Sequence, residues 1–320
     1  MTYSAGNTIL DDDYNIFATG NAAGTGDQSV ANINSIIGEG GGEFGYGQGT
    51  EISPVTAGNS VLAAEWATLL TRNTTLASHQ GTSITALSNP SAGNTIAAFA
   101  ALSANITATY NGKSNAAASG SDASVSSVTT TAWNTSAVLT KTFTFQSRAQ
   151  LRYFFNAGGL IRLSWSRTGG TGSAQNTSWT NTLTAAGTIV ISGIAASKTI
   201  AGVAYTGITK IGGSGTIGSI LTGTGVLSPI AASEQLLYDQ IPPSGYGDNE
   251  IQVLGSIPAD GTVLTLKTDL SDDYTPPDPG SPDLVDGTLT QVTTIRFPST
   301  THLADTWGSV SQNSPSWVQS

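Results

Sequence analysis

Large apolar side chains alternate with polar ones along the densest apolar stretch of the chain, TFTFQSRAQLRYFFNAGGLIRLSWSR, from Thr142 to Arg167. Phe143, Phe145, Leu151, Tyr153 and Phe155 fall on alternate positions. Ile161, Leu163 and Trp165 repeat the pattern, with Arg162, Ser164 and Ser166 between them. A period of two gives a pleated strand one apolar face. Asn156-Ala157-Gly158-Gly159 stands at the join, where two glycines supply the positive φ of a tight hairpin. The pattern predicts two paired strands, and their shared apolar face is the expected centre of the core.

Before this stretch the spacing is helical. Asp27-Gln28-Ser29 can cap a short helix carrying Val30, Ile33 and Ile37, with Gly38 ending it. Asn59-Ser60 opens a second helix with Leu62, Trp66, Leu69 and Leu76 near one face, ending at His79-Gln80-Gly81. A third starts at Asn94-Thr95 and carries Ile96, Phe99, Ser103, Ile106 and Tyr110 at steps of three and four. The string AGNTIL at Ala5 recurs as AGNSVL at Ala57 and AGNTIA at Ala92. It is too short for a solenoid repeat. The apolar stripes are narrow, which points to packing on neighbouring copies.

Residues 1–115 therefore form a small helical docking region, and 116–136, rich in Ser, Ala and Thr, a linker or extended strand-like arm. From Ala137 the period is two. Trp179 to Thr184 reads as a short helix or turn, and GTIVISG as an apolar strand. Ile251, Val253, Gly255 and Ile257 alternate up to Pro258-Ala259-Asp260-Gly261, and Leu264, Leu266 and Leu270 return. A final strand runs from Leu289 to Phe297. Roughly seven or eight strands with turn signals give an antiparallel β-sandwich or jelly-roll-like domain over 137–300. The fold class is α+β. Residues 301–320 form a polar tail whose Trp307 and Trp317 are expected to dock on a neighbour.

Composition narrows the function classes. Charged residues are 10% of the 320, against about 25% in an ordinary soluble domain. Such a surface is polar without charge, and many copies of it tend to associate. The net charge is −10, and Arg148, Arg152, Arg162 and Arg167 are the nearest thing to a basic cluster. Nucleic-acid binding needs more. Arg148 and Arg152 are expected on the solvated face of the first strand. There is no cysteine, so no disulfide or thiolate chemistry. No apolar run is long enough to span a bilayer, and the first residues lack the basic and apolar parts of a secretory leader.

Candidate chemistry is sparse. The glycine run Gly38 to Gly49 follows a helix and lacks the Gly-Lys-Ser/Thr of a phosphate loop. The two histidines, His79 and His302, are far apart in sequence, and His79 at a helix end is placed where a cation favours the dipole. The stretch Asp269 to Gly287 offers Asp269, Asp272, Asp273, Asp278, Asp283 and Asp286 as calcium ligands, without EF-hand spacing and with prolines at 276, 277, 279 and 282. A solvated acidic loop is the plainer expectation, and Asp11-Asp12-Asp13 is weaker still. Glu234, Asp239 and Glu250 are the carboxylates available for glycoside hydrolysis on facing strands. Trp307 and Tyr246 are the aromatics that could stack on sugar.

The segments RYFFNAGGLIRLSWSR, GSAQNTSWTNTL and GTIVISG, with NTILDDDYN, GYGQGT, AGNSVLAAEWATLL and SHQGTSI in the first half, resemble virion structural proteins of tailed bacteriophages. They look like tail-fibre or neck-type proteins of contractile-tailed phages, including cyanophages. The resemblance implies a structural part of the virion at the neck, tail or baseplate, made in the host cytoplasm. It implies several copies in a trimer or ring, contacts with other virion proteins, and no catalytic residue, cofactor or metal. A receptor- or carbohydrate-binding tail module that touches the host surface is the alternative.

Overall fold

A computed structural model describes residues 10–27, 29–38, 45–89, 99–193, 197–214, 217–220, 232–243, 245–273 and 284–319. Four helices come first: α1 (Asp11–Thr19), α2 (Asn34–Ile37), α3 (Ala63–Gln80) and α4 (Phe99–Asn111). Next are β1 (Asp122–Thr130), β2 (Ser136–Thr144), α5 (Arg148–Asn156), β3 (Leu160–Thr168), α6 (Ala174–Ala186) and β4 (Thr188–Ile191). The chain continues through β5 (Ser197–Ile200), β6 (Val203–Thr206), β7 (Ile208–Ile211), β8 (Ile217–Ile220) and β9 (Gln235–Gln240). It ends with β10 (Asn249–Ser256), β11 (Val263–Asp272), β12 (Thr288–Arg296), β13 (Ser311–Gln312) and β14 (Val318–Gln319).

The fold is α+β with a sandwich-like pair of antiparallel sheets. One runs β1-β12-β3-β4-β7, the other β13-β2-β11-β10-β9-β8, with β14 also on β2. Their apolar faces share one core: Ile161, Leu163, Leu289 and Ile295 from the first, Phe143, Val253, Leu264 and Leu270 from the second. Alternation is strict on β10, β11 and β12, where every second residue is buried. The expected Pro258–Gly261 hairpin joins β10 to β11, with Gly261 N–H donating to Pro258 O at 2.9 Å. Helix α6 is longer than the expected turn. Ser173 caps it by accepting from Asn176 N–H at 3.1 Å, and Trp179 is buried edge-on to Trp133.

The central hairpin is corrected. Phe143 lies on β2 and Trp165 on β3, but Leu151, Tyr153 and Phe155 belong to helix α5. Ser147 caps that helix, accepting from Gln150 N–H at 3.2 Å. The decisive residue is Phe154, which a strand would turn to the solvated face. In the helix Leu151, Phe154 and Phe155 fall three and four apart and all are buried. Phe154 meets Phe145, Phe155 and Phe297 at centroid distances of 5.6, 4.9 and 5.6 Å, each edge-on. Burying such a ring contributes about 2–3 kcal/mol. β2 and β3 sit in different sheets, so α5 carries the chain from one layer to the other. Arg148 and Arg152 ride on this helix and not on a strand.

The helical spacings shift by a residue or two. α3 begins at Ala63, with Glu65 accepting from Leu62 N–H at 2.7 Å, and Leu62 is 61% exposed instead of facing the core. On α4 the buried positions are Leu102, Asn105, Ile106 and Thr109, and Phe99 and Tyr110 are partly buried. The expected start at Asn94-Thr95, with Ile96, lies outside the described residues, as do two of the three AGN strings. Near residue 30 only Asn34–Ile37 is helical, and Val30 is exposed. Tyr14, Phe17, Trp66 and Leu69 of the helices belong to the same core as the sheets. The 116–136 arm forms edge strand β1, paired with β12 from Asp122↔Arg296 to Thr130↔Leu289.

Candidate interaction surface

The C-terminal segment is a strap over the flank where β1 and β2 end their sheets. Leu303 and Trp307 are buried in the core of this chain, Trp307 at 1% exposure. Gln48 then holds the strap's backbone: its Nε2 donates to Ala304 O at 3.0 Å, and Ala304 N–H donates to its Oε1 at 2.8 Å. Thr306 Oγ1 donates to Tyr46 O at 2.6 Å. Further on, β13 pairs with Thr144 and Phe143, and β14 pairs with Val138 and Ala137. Between them Asn313 continues the ladder by its side chain. Its Oδ1 accepts from Thr142 N–H at 2.9 Å, and its Nδ2 donates to Thr140 O at 3.1 Å.

On the other side the strap reaches β1. Trp317, 8% exposed, donates from Nε1 to Val128 O at 3.3 Å, and Gln319 Nε2 donates to Ala132 O. Both tail tryptophans, expected to dock on a neighbour, are thus consumed within the chain. Burial also removes Trp307 as a platform for sugar. The strap covers an edge that would otherwise pair with another chain. No described strand pairs with the outer edge of β7 or β8, and β1 presents Val125 at 63% exposure.

Two lysines on this body were not singled out in the sequence. Lys141 shares the phase of Ala137, Leu139 and Phe143 on β2, and Lys198 that of Ile200 on β5. A lysine in register with an apolar face was the available signal. Lys198 Nζ donates to Phe155 O at 2.8 Å, at the C-terminal end of α5, and burial pushes its amine down to about 7. Lys141 Nζ donates to Asn313 O at 3.2 Å, and burial lowers its amine as well.

The histidines, distant in sequence, come together in space. His79, in the last turn of α3, is buried with the Tyr46 ring edge-on at 5.1 Å. Burial first, then the nearby charge of His302, holds its imidazole at about 4. His79 is therefore neutral at pH 7 and supplies no cation to the helix end, contrary to expectation. The glycine run turns at Gly47, where φ is +67° and an added Cβ would lie 2.3 Å from the Tyr153 ring. Residues 39–44 of that run lie outside the described residues.

The described carboxylates of the acidic stretch have separate partners. Asp286 accepts from Thr171 N–H at 3.0 Å, from Asn176 Nδ2 and from Arg167 Nη2 at 3.2 Å, which hold its carboxyl below the usual range. Asp272 is buried and accepts from Gln175 Nε2 and from Trp179 Nε1. Asp269 pairs with Lys267 at 3.3 Å. Asp278 and Asp283 lie outside the described residues. Among the described residues no group of three or more His, Asp or Glu is placed to hold a metal ion. Asp11 and Asp13 sit in the first turn of α1, where carboxylates favour the dipole, and burial raises the Asp13 carboxyl.

Of the three hydrolase candidates, Asp239 and Glu250 meet, whereas Glu234 faces Lys267 at 3.7 Å. Burial raises both carboxyls, and Asp239 raises Glu250 further. Glycosidase pairs stand about 5 Å or more apart, flanking a sugar. Asp239 and Glu250 lie on adjacent strands of one sheet, β9 and β10, and not on opposite walls of a cleft. Arg167 is buried against Asp286, Arg296 binds Asp122 through two nitrogens at 2.6 and 3.0 Å, and Arg162 lies on the outer sheet face. The arginines form no shared basic patch. Among the described residues no helix is long and apolar enough to cross a membrane.

Compared with protein-family models, curated proteins and solved structures, the chain matches none.

Proposed function

We propose that this chain is a structural component of a bacteriophage virion, placed at the neck, tail or baseplate and assembled in several copies. It acts by shape and contact and turns over no substrate. The observation that carries the reading is a pair of sheet edges, at β7 and β8, that no described strand covers. Low charge suits a protein fixed among copies of itself, and open edges are ready templates for a neighbour's strand. The segments that resemble tail-fibre and neck-type proteins support the same assignment. Quantitative mass spectrometry of purified virions tests it. The chain should co-purify at a fixed multiple, three or more per particle, and absence from intact particles overturns the proposal.

A second reading, a receptor- or carbohydrate-binding tail module, is favoured by one feature. A hydroxyl-lined groove of about 540 Å³ opens beside the strap. A glycan array with no hits removes it.

A further inference from the structure

We propose that the groove between β1 and the C-terminal strap binds a carboxylate-bearing sugar, with the Lys141 ammonium as partner of the carboxylate. The proposal deepens the carbohydrate-binding reading and rests on it. The virion reading stands or falls separately, on particle composition.

The argument begins with a buried cation. Lys141 is 2% exposed, and among the described residues its ammonium makes one hydrogen bond, from Nζ to Asn313 O at 3.2 Å. An ammonium has three N–H donors, so two find no acceptor among the described residues. Among the described residues no carboxylate pairs with it. A charge drawn out of water without a counter-charge is costly, and a carboxylate arriving in the groove would offset that cost. Lys198 shows the contrast: its ammonium is enclosed and seated on the carbonyl of Phe155 at a helix end, where a cation is favoured, whereas that of Lys141 is part-buried and opens on the groove.

The space beside Lys141 has the size and lining of a ligand site. The groove measures about 540 Å³, within the roughly 300–1,000 Å³ of small-molecule sites. Ser126, Ser127 and Thr129 line it from β1, and Ser314 and Ser316 from the strap. Serine and threonine hydroxyls both donate and accept, which suits a polyhydroxylated ring, and that of Ser126 now donates to Gln312 Oε1 at 3.3 Å. One ammonium at the wall selects a ring that carries an anion, through a short charge-assisted bond. A bound carboxylate would also offset the burial that now lowers the Lys141 amine.

The test uses the full chain and D-glucuronate, with glucose, acetate and an oligo-aspartate peptide as comparison probes. Trp317 reports binding by fluorescence, because its Nε1 bonds Val128, a residue of the groove wall. Glucuronate should bind at least tenfold tighter than glucose or acetate. Lys141→Met should weaken it at least tenfold. Ser314→Tyr, at an exposed strap position, should do the same by filling the groove while leaving the unfolding midpoint unchanged. Equal binding of glucose, equal binding of acetate, retention of binding in both variants, or no glucuronate binding each overturns the proposal. Binding of oligo-aspartate without glucuronate also overturns it, in favour of a protein partner.

Discussion

The side-chain amide of Gln48 pairs with the backbone of Ala304 as one strand pairs with another, donating at 3.0 Å and accepting at 2.8 Å. The device recurs. Asn15 holds both backbone groups of Val55, at 2.9 and 2.8 Å. Asn34 holds Ile52 at 2.8 Å in both directions, and Asn105 holds Thr85 at 2.8 and 2.9 Å. Extended connections that lie beyond any sheet still need partners for their peptide groups. Here carboxamides, which carry no charge, supply them.

Gln48→Ala removes the pair and leaves the backbone of Ala304 without its partners. The expected loss is about 1–3 kcal/mol in urea unfolding. Asn21→Ala, which breaks only exposed turn bonds, should stay within about 0.5 kcal/mol. Equal effects from the two would show that the amide pairs fasten nothing.

Phe154→Ala separates the helix from the hairpin. With Phe154 buried among three other phenylalanines, truncation should cost about 3–5 kcal/mol, and Ser147→Ala about 1 kcal/mol through the lost cap. A thermal midpoint unmoved by Phe154→Ala would restore the strand.

Most of the sheet was legible in the sequence, because β10, β11 and β12 bury every second residue and their turns carry Pro, Asp and Gly. At α5 the pattern misleads, because Leu151, Tyr153 and Phe155 satisfy a period of two and only Phe154 breaks it. The strap was illegible for a different reason. Its strands are two residues long and depend on partners such as Gln48 and Phe143, far away in the chain. No local pattern encodes them. The groove's lysine left a faint trace, as a cation in phase with Leu139 and Phe143.

Stability should rise with pH in two windows. His79 is held at about 4 when folded, below its ordinary 6.5, so between those values the unfolded chain binds more protons. Stability present above pH 6.5 is lost as pH falls toward 4, by up to about 3 kcal/mol for this group. Lys198, held at about 7 against 10.5, acts the same way at higher pH: stability climbs from pH 7 toward 10.5, by up to about 1.4 kcal/mol per unit. The raised carboxyls of Asp239 and Glu250 work in the opposite direction in acid. The wild-type curve minus that of His79→Phe, and minus that of Lys198→Met, isolates each group in chemical denaturation. Parallel curves would place both side chains in water.

Ending the chain at Val310 uncovers β2, whose outer edge β13, Asn313 and β14 now occupy. The shortened protein should unfold at lower temperature and self-associate through that edge, read by light scattering. Trp317→Ala keeps the ladder but loses the buried ring, and should cost about 3–5 kcal/mol without new association. A truncated chain as stable and as dispersed as the full one would show that the strap seals nothing.

The most direct test of the central claim is an electron cryomicroscopy reconstruction of a virion that contains this chain. The account predicts symmetry-related copies at the neck, tail or baseplate, each with two stacked sheets and with a neighbour packed on the outer edge of β7 or β8. Density for a single copy, or particles complete without the chain, would contradict it.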